Sequence, residues 1–293
     1  TGTDEPDAPG RTRREYCYNI LVSGLDDDNG GSDTNILVRF DVPNKRIDLV
    51  SLPRDTLLHN EYRNNKLNFA YAKGGTELLM EQIENLLGIP VDFYVTVNLK
   101  GFIALVDQID GVDFDIPINM DYDDPYQDLH IHFTKGPRHL NGQEAMEVVR
   151  FRHNNDGTGY GTEDIGRIGT QQAFLKAVAK QLLQIGNVKN IPALVDIFYT
   201  YVKTDLTTGN LVWLGNEALN IGTENIHFAT LPGDGSGYYN KQSVYVLDAQ
   251  ATCDLVNEAL NPYNEALTLE DMDILVPLSL IHISEPTRLL SIS

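Results

Sequence analysis

Several side chains in this sequence have the types and spacing that handle phosphate. Asp26 and Asp33 bracket the glycine-rich turn of SGLDDDNGGSDTN, and Arg54 and Asp55 follow a proline in SLPRDT. Further along, Arg150 and Arg152 precede a glycine-rich loop, and Asp164, Arg167 and Gln171 fall in the helical stretch after it. Two carboxylates can hold a hard cation such as Mg2+ (or Mn2+), which is commonly bound by one or two carboxylates plus substrate phosphates and keeps several waters. Guanidinium groups grip phosphoryl oxygens bidentately. Together such a set suits a pyrophosphate, because metal and arginines neutralise it and stabilise charge on the leaving phosphate.

Each piece has a plainer reading when taken alone. An Asp/Gly turn is ordinary solvated hairpin chemistry, and Asp27 and Asp28 at its tip need no other role. The turn lacks EF-hand spacing, which disfavours calcium. Arg54 beside Asp55 is a surface pair of small value unless it is buried. Lys66 in NKLNFAYAKGG reads first as a surface lysine and second as one more cation near the site. Asp164, Arg167 and Gln171 share a helical stripe that continues as Leu175, Val178 and Leu182. A stripe that begins polar and turns apolar either leaves its first turns in solvent or faces an anionic site there. The histidines at 59, 130, 132, 139, 153 and 227 show no ligand spacing, although His130 and His132 alternate as on a strand; structural or surface roles are expected, and zinc is disfavoured. No Walker loop, dinucleotide fingerprint or G-x-S-x-G elbow is present.

The chain carries 42 acidic against 22 basic residues, a net charge of −20. Such a field excludes charge-driven binding to nucleic acid or anionic lipid, so an anionic ligand needs a local basic cluster. No apolar run approaches the roughly 18 residues of a membrane span. Cys17 and Cys253 read as unrelated buried thiols or as one disulfide, and the sequence leaves both open.

The elements that must position these groups follow from periodicity. CYNILVSG, TNILVRF and RIDLVSL read as three strands, TELLMEQIENLL as a helix capped by Thr76 and closed by Gly88, and VDFYVTV as a strand. LKGFIALVDQI returns to helix, GVDFDIP is a short strand, and residues 119–139 form a loop or hairpin. Helices follow over about 141–151 and 163–185, then a strand at NIHFATLPG and a strand running into a helix at SVYVLDAQATCDLVNEAL. Strands alternating with helices predict an α/β fold: a single domain with a central mixed β-sheet flanked by helices. The expected boundaries are a polar Pro/Gly-rich linker over 1–15, a domain over 16–270, and a tail over 271–293. The end of that tail, LVPLSLIHISEPTRLLSIS, resembles translated cloning or adapter sequence and is given no functional weight.

The order NILVSGLD, SDTNILV, VSLPRDT, KLNFAYAKGG, LLGIPVDFYVTVNLKGFIALVDQIDGVDFDIP, HLNGQEAMEVVRFRH and DIGRIGTQQAFLKA resembles the LytR-CpsA-Psr family of Gram-positive bacteria, continuously from Tyr18 to Leu183. The resemblance implies a cell-envelope phosphotransferase that moves an anionic glycopolymer, such as teichoic acid or capsule, from an undecaprenyl-pyrophosphate carrier to peptidoglycan. It implies an extracellular domain whose N-terminal membrane anchor is absent from this chain. By position, Asp26 and Asp33 match the family's magnesium-binding aspartates. Arg54 matches the arginine that contacts the pyrophosphate, and Arg150, Arg152, Arg167 and Gln171 match residues lining the same site. Asp164 is placed to orient Arg167, Asp55 is one candidate base, and the apolar half of the helix stripe matches the family's polyprenyl channel or a plain core. Thr170 departs from the pattern, standing where members often carry an arginine. Two other activities fit the same residues: sequestering polyprenyl phosphates without turnover, and hydrolysing the pyrophosphate with water.

Overall fold

The computed structural model describes residues 10–25, 30–126, 129–160, 163–185, 196 and 198–275; within 163–185 the side chains described are those of 166 and 169–182. Three consecutive antiparallel strands form its centre: β1 (Cys17–Leu25), β2 (Ser32–Asp41) and β3 (Arg46–Leu52). After helix α1 (Leu67–Leu87), β4 (Phe93–Val97) adds parallel to β1, so the sheet is mixed. Two later strands complete it, β9 (Val202–Thr204) antiparallel to β4 and β10 (Ile226–Thr230) parallel to β3, giving the order β10-β3-β2-β1-β4-β9.

The central strands are apolar at consecutive positions because both faces of the sheet are covered. Leu21, Leu37 and Val50 lie opposite one another in register and have no exposed surface; they pack beneath α1 and beneath α6 (Ala249–Ala259). One residue along, Ile20 and Val38 face the other side, in a core that includes Leu214 and Ile221 of α5 (Thr208–Ile221). Truncating one such leucine to alanine costs about 2–5 kcal/mol. On the same sheet Arg39 and Asp48 are both buried and paired at 2.7 Å.

Helix α1 starts nine residues before the expected Thr76 and absorbs a kink. Gly75 sits at φ 68 in the left-handed region, which glycine adopts without penalty. The predicted face of Leu79, Ile83, Leu86 and Leu87 is buried, and Gly88 ends the helix at φ 66.

A second core lies under α2 (Leu99–Gln108), α3 (Gly142–Arg150) and α4 (Glu163–Ile185). The 119–139 stretch contributes a hairpin of β6 (Met120–Asp124) and β7 (Leu129–Phe133), and β8 (Gly136–Leu140) pairs with β5 (Val112–Ile116). A further two-stranded ribbon, β11 (Gly233–Tyr239) with β12 (Gln242–Leu247), packs over the turn after β3.

Two boundary expectations change. Residues 11–14, assigned to a linker, are held against the domain: Arg11 pairs with Asp271, Arg13 with Asp92, and Arg14 with Asp41. The tail assigned from 271 begins too early, since Met272 is buried in the core and Leu275 packs beside Val244. Residues 276–293 lie outside the described ones. Cys17 and Cys253 are both buried and free, which removes the disulfide reading. Burial pushes the Cys17 thiol up to about 11.

Candidate functional site

The site is built where β2 begins and β3 ends, because neighbouring antiparallel strands bring those two points together. Pro53 stops β3, and the turn after it is clasped on both sides. Thr56 donates its hydroxyl to Pro53 O at 2.6 Å, and Asn68 N–H at the start of α1 donates to Arg54 O at 2.9 Å. Fixed this way, Arg54 Nη1 meets Asp33 Oδ1 at 2.6 Å. Arg54 Nε lies 3.7 Å from Asp55 Oδ1, and Lys66 Nζ lies 3.1 Å from the same oxygen. The charges therefore alternate through space as Asp33, Arg54, Asp55 and Lys66. Asp55 Oδ1 is buried yet accepts no aligned hydrogen bond, although two cations stand within ion-pair range. Distance alone gives attraction; the missing alignment leaves that oxygen's lone pairs underused.

The second half of the site comes from the junction of α3 and α4. Arg150 is the last residue of α3, and Phe151 caps the helix with its ring fully buried. Arg150 and Arg152 flank the buried Phe151, and both line the cavity described below. Gln171 Nε2 donates to Val149 O at 3.4 Å, joining α4 to α3. Thr170 turns inward and donates to Gly166 O at 3.0 Å, so the position that departs from the family pattern is taken up by the helix itself.

These pieces surround a cavity of about 580 Å3. Asp33, Arg54, Arg150, Arg152, His153 and Gln171 contribute its polar lining. Apolar lining comes from Val22 and Ile36 of the sheet, Phe102 and Leu105 of α2, Met146 of α3, and Phe174, Leu175, Val178 and Leu182 of α4. From Gln171 to Leu182 the helix rises about 16 Å. The apolar stripe of α4 thus lines this cavity over three turns while also packing against the neighbouring cores.

A smaller cavity of about 90 Å3 lies on the other side of Arg54. It shares Asp33, Thr34, Arg54 and Gln171 with the large one and adds Asp55, Thr230, Ser243 and Tyr245. The Asp33–Arg54 pair therefore stands in the wall between an apolar space and a polar one. Burial raises the Tyr245 phenol above its ordinary range, and it donates to Leu231 O at 2.9 Å.

Of the expected residues, Asp33, Arg54, Arg150, Arg152 and Gln171 converge on the large cavity, and Asp55 faces the small one. Lys66 lines neither and reaches the site only through Asp55, because its backbone is held in a bridge to Leu57. Asp26 lies outside the described residues; Asp164 and Arg167 lie on α4, with their side chains outside the described ones. Tyr122, Ser243 and Tyr245 carry no signal in the sequence, and His153 reads there only as a structural or surface histidine. Each comes from a strand or loop edge whose role is set by tertiary packing, and no local spacing marks it.

The LytR_cpsA_psr family profile matches residues 5–261. The chain belongs to the LytR-CpsA-Psr family. A relative in Bacillus subtilis, the polyisoprenyl-teichoic acid–peptidoglycan teichoic acid transferase TagV, is 32% identical over 248 residues, covering 80% of this chain and 61% of TagV. The chain thus spans about three fifths of that relative's length. TagU of Bacillus cereus, which bears the same transferase description, is 32% identical over 244 residues, covering 82% of this chain and 76% of TagU. The crystal structure of B. subtilis TagV superposes with a TM-score of 0.69 at 28% identity, covering 82% of this chain and 94% of that one. In this LytR-CpsA-Psr domain, no helix among the described residues is long and apolar enough to cross a membrane.

Proposed function

We propose that this LytR-CpsA-Psr protein transfers an anionic glycopolymer from a polyprenyl-pyrophosphate carrier to peptidoglycan, at the outer face of the cell membrane. The observation that carries the reading is one cavity with an apolar wall along α4 and with Arg54, Arg150 and Arg152 in its polar lining. A polyprenyl chain matches the first and a diphosphate the second. The names of the TagV and TagU relatives support the same donor and acceptor classes.

In this reading the lipid tail occupies the apolar space and expels water from it. Arg54, Arg150 and Arg152 draw the diphosphate to the polar lining, and Arg54 bridges toward the small cavity. A peptidoglycan hydroxyl enters on the small-cavity side and attacks the glycan-side phosphorus. The new P–O bond forms as the bond to the bridging oxygen breaks, and polyprenyl phosphate leaves with the charge that the arginines stabilise. Asp55, whose carboxylate lines the small cavity, would take the hydroxyl proton.

A divalent cation fits the donor set. Asp33 offers hard oxygen ligands; its Oδ1 is held by Arg54, and among the described residues its Oδ2 accepts no hydrogen bond. Asp33, with Asp26, would hold Mg2+, which when bound would offset the diphosphate's negative charge. Incubation with a lipid-linked oligosaccharide and an acceptor glycan tests the reading. Acceptor-dependent product that is lost in Arg54→Ala is expected. Lipid binding without product would favour a carrier role, and phosphoglycan release without acceptor would favour a hydrolase.

A further inference from the structure

The hairpin of β6 and β7 has two different faces. Tyr122 and Leu129 line the large cavity, and Ile131 and Phe133 are buried in the second core. On the outward face, register sets Asp121 opposite His132 and Asp123 opposite His130, and all four are exposed. Strand alternation therefore gathers two carboxylates and two imidazoles into one patch. His130 Nδ1 lies 2.5 Å from Asp123 Oδ1, and His132 Nε2 lies 3.3 Å from that same oxygen. His132 Nδ1 lies 2.8 Å from Asp121 Oδ1.

We propose that Asp123, His130 and His132 bind a borderline divalent metal ion of the Zn2+, Co2+ or Ni2+ class, with Asp121 orienting His132. One donor atom from each of the three ligands lies within 4.8 Å of the others. Ligands of a tetrahedral zinc ion, at bonds of about 2.0–2.1 Å, stand about 3.4 Å apart. The His132 Nε2 to Asp123 Oδ1 separation of 3.3 Å already has that value. To reach that spacing His130 would withdraw from Asp123 by somewhat under 1 Å. In the tautomer whose Nδ1–H donates to Asp121, His132 would present the Nε2 lone pair inward. This is the carboxylate–histidine–metal arrangement that fixes ligand tautomers. Imidazole donors favour these ions over Mg2+, so the site is chemically distinct from the carboxylates of the cavity.

The nearby β5–β8 pair supplies a contrast. Asp113 and His139 are joined in the same cross-strand way at 2.7 Å but offer only two donors. β6, which carries Asp121 and Asp123, is also tied to the site. Asp121 N–H donates to Asn154 Oδ1 at 2.7 Å and Asp123 N–H to Asn155 Oδ1 at 2.6 Å, in the loop that follows Arg152. The inference stands independently of the transferase reading.

The test is a ZnCl2 titration followed by calorimetry, with CoCl2 followed by visible absorption. It uses tag-free, EDTA-stripped full chain in excess Mg2+, which keeps oxygen-only sites filled. One saturable equivalent per chain is expected, with a tetrahedral cobalt spectrum. Affinity should fall at least about 10-fold in His130→Gln, His132→Gln and Asp123→Asn, by about 10- to 100-fold in Asp121→Asn, and not at all in His139→Gln. Zn2+ should also slow amide exchange at residues 121, 123 and 155. Asp123→Asn keeps a hydrogen-bond acceptor toward His130, so it separates metal loss from hairpin loss. Failure to saturate at about 1 mM Zn2+, or unchanged affinity in the His130 and His132 variants, would overturn the proposal; so would an equal loss in His139→Gln.

Discussion

Arg54 Nη1 lies 2.6 Å from Asp33 Oδ1, joining the end of β3 to the start of β2 in the wall between two cavities. The pair does two things. It holds a long, flexible guanidinium in place before any ligand arrives, so less rotamer entropy is lost on binding. It also places a carboxylate beside an anion site, an arrangement that invites a bridging cation once a diphosphate enters.

The pair's contribution should therefore show in turnover more than in stability. Arg54→Ala is expected to lower transfer by about 100- to 1,000-fold, the usual cost of removing one preorganised donor from a transition state. Arg54→Lys keeps the charge but loses the fork, and should recover only part of that. Both partners are about one-third exposed (30% and 33%), so the change in unfolding free energy should stay within about 1 kcal/mol. The paired measurements are single-turnover transfer and urea unfolding of the same preparations.

The apolar wall makes a second prediction. Val178→Trp and Leu175→Trp put an indole into the cavity that the lipid tail is assigned to fill. Transfer from a long-chain polyprenyl donor should drop, while the protein stays folded because the added volume enters open space and not close-packed core. A water-soluble donor with a truncated tail should be much less affected. Equal loss for long and short donors would show that the substitution acts through the polar lining.

The β5–β8 pair carries a pH dependence. A hydrogen bond to Asp113 lifts the His139 imidazole above its ordinary range. A group whose pKa is raised on folding stabilises the fold fully below its unfolded pKa. That contribution disappears as pH rises through the folded value. Wild type should therefore be slightly more stable than His139→Gln near pH 5.5 and indistinguishable from it near about pH 8.5. The ring is almost wholly in solvent, so salt should shrink the difference. Thermal melts of both proteins across that range measure it; a gap that widens with rising pH would contradict the assignment.

Much of this arrangement could be read from the sequence, and the reasons differ by element. The strands around Leu21, Leu37 and Val50 are long β-branched or leucine-rich runs, and helices cover both faces of the sheet they form. Arg54, Arg150, Arg152 and Gln171 were visible as an anion-binding set in an acidic chain, and the family motif order linked them. The start of α1 was missed because Gly74 and Gly75 look like a stop, whereas tertiary packing carries the helix across them as a kink. For Lys66, proximity to the motif says nothing of direction; in the fold its ammonium faces Asp55. The cluster at Asp121, Asp123, His130 and His132 was passed over because ligand spacing along the chain does not show cross-strand register. Tyr245 and Ser243 reach the small cavity only because the β11–β12 ribbon folds back over the turn after β3.

The central claim is that one cavity holds a lipid tail while arginines in its wall hold the diphosphate. Its most direct measurement compares the affinity of the protein for farnesyl pyrophosphate and for farnesol, in wild type and in the Arg54→Ala and Arg152→Ala variants. The account predicts that wild type binds the pyrophosphate at least about 100-fold more tightly, the equivalent of about 2.7 kcal/mol. That preference should collapse in both variants while farnesol affinity stays constant. Equal affinity for the two ligands in wild type, or an undiminished preference in the variants, would contradict it.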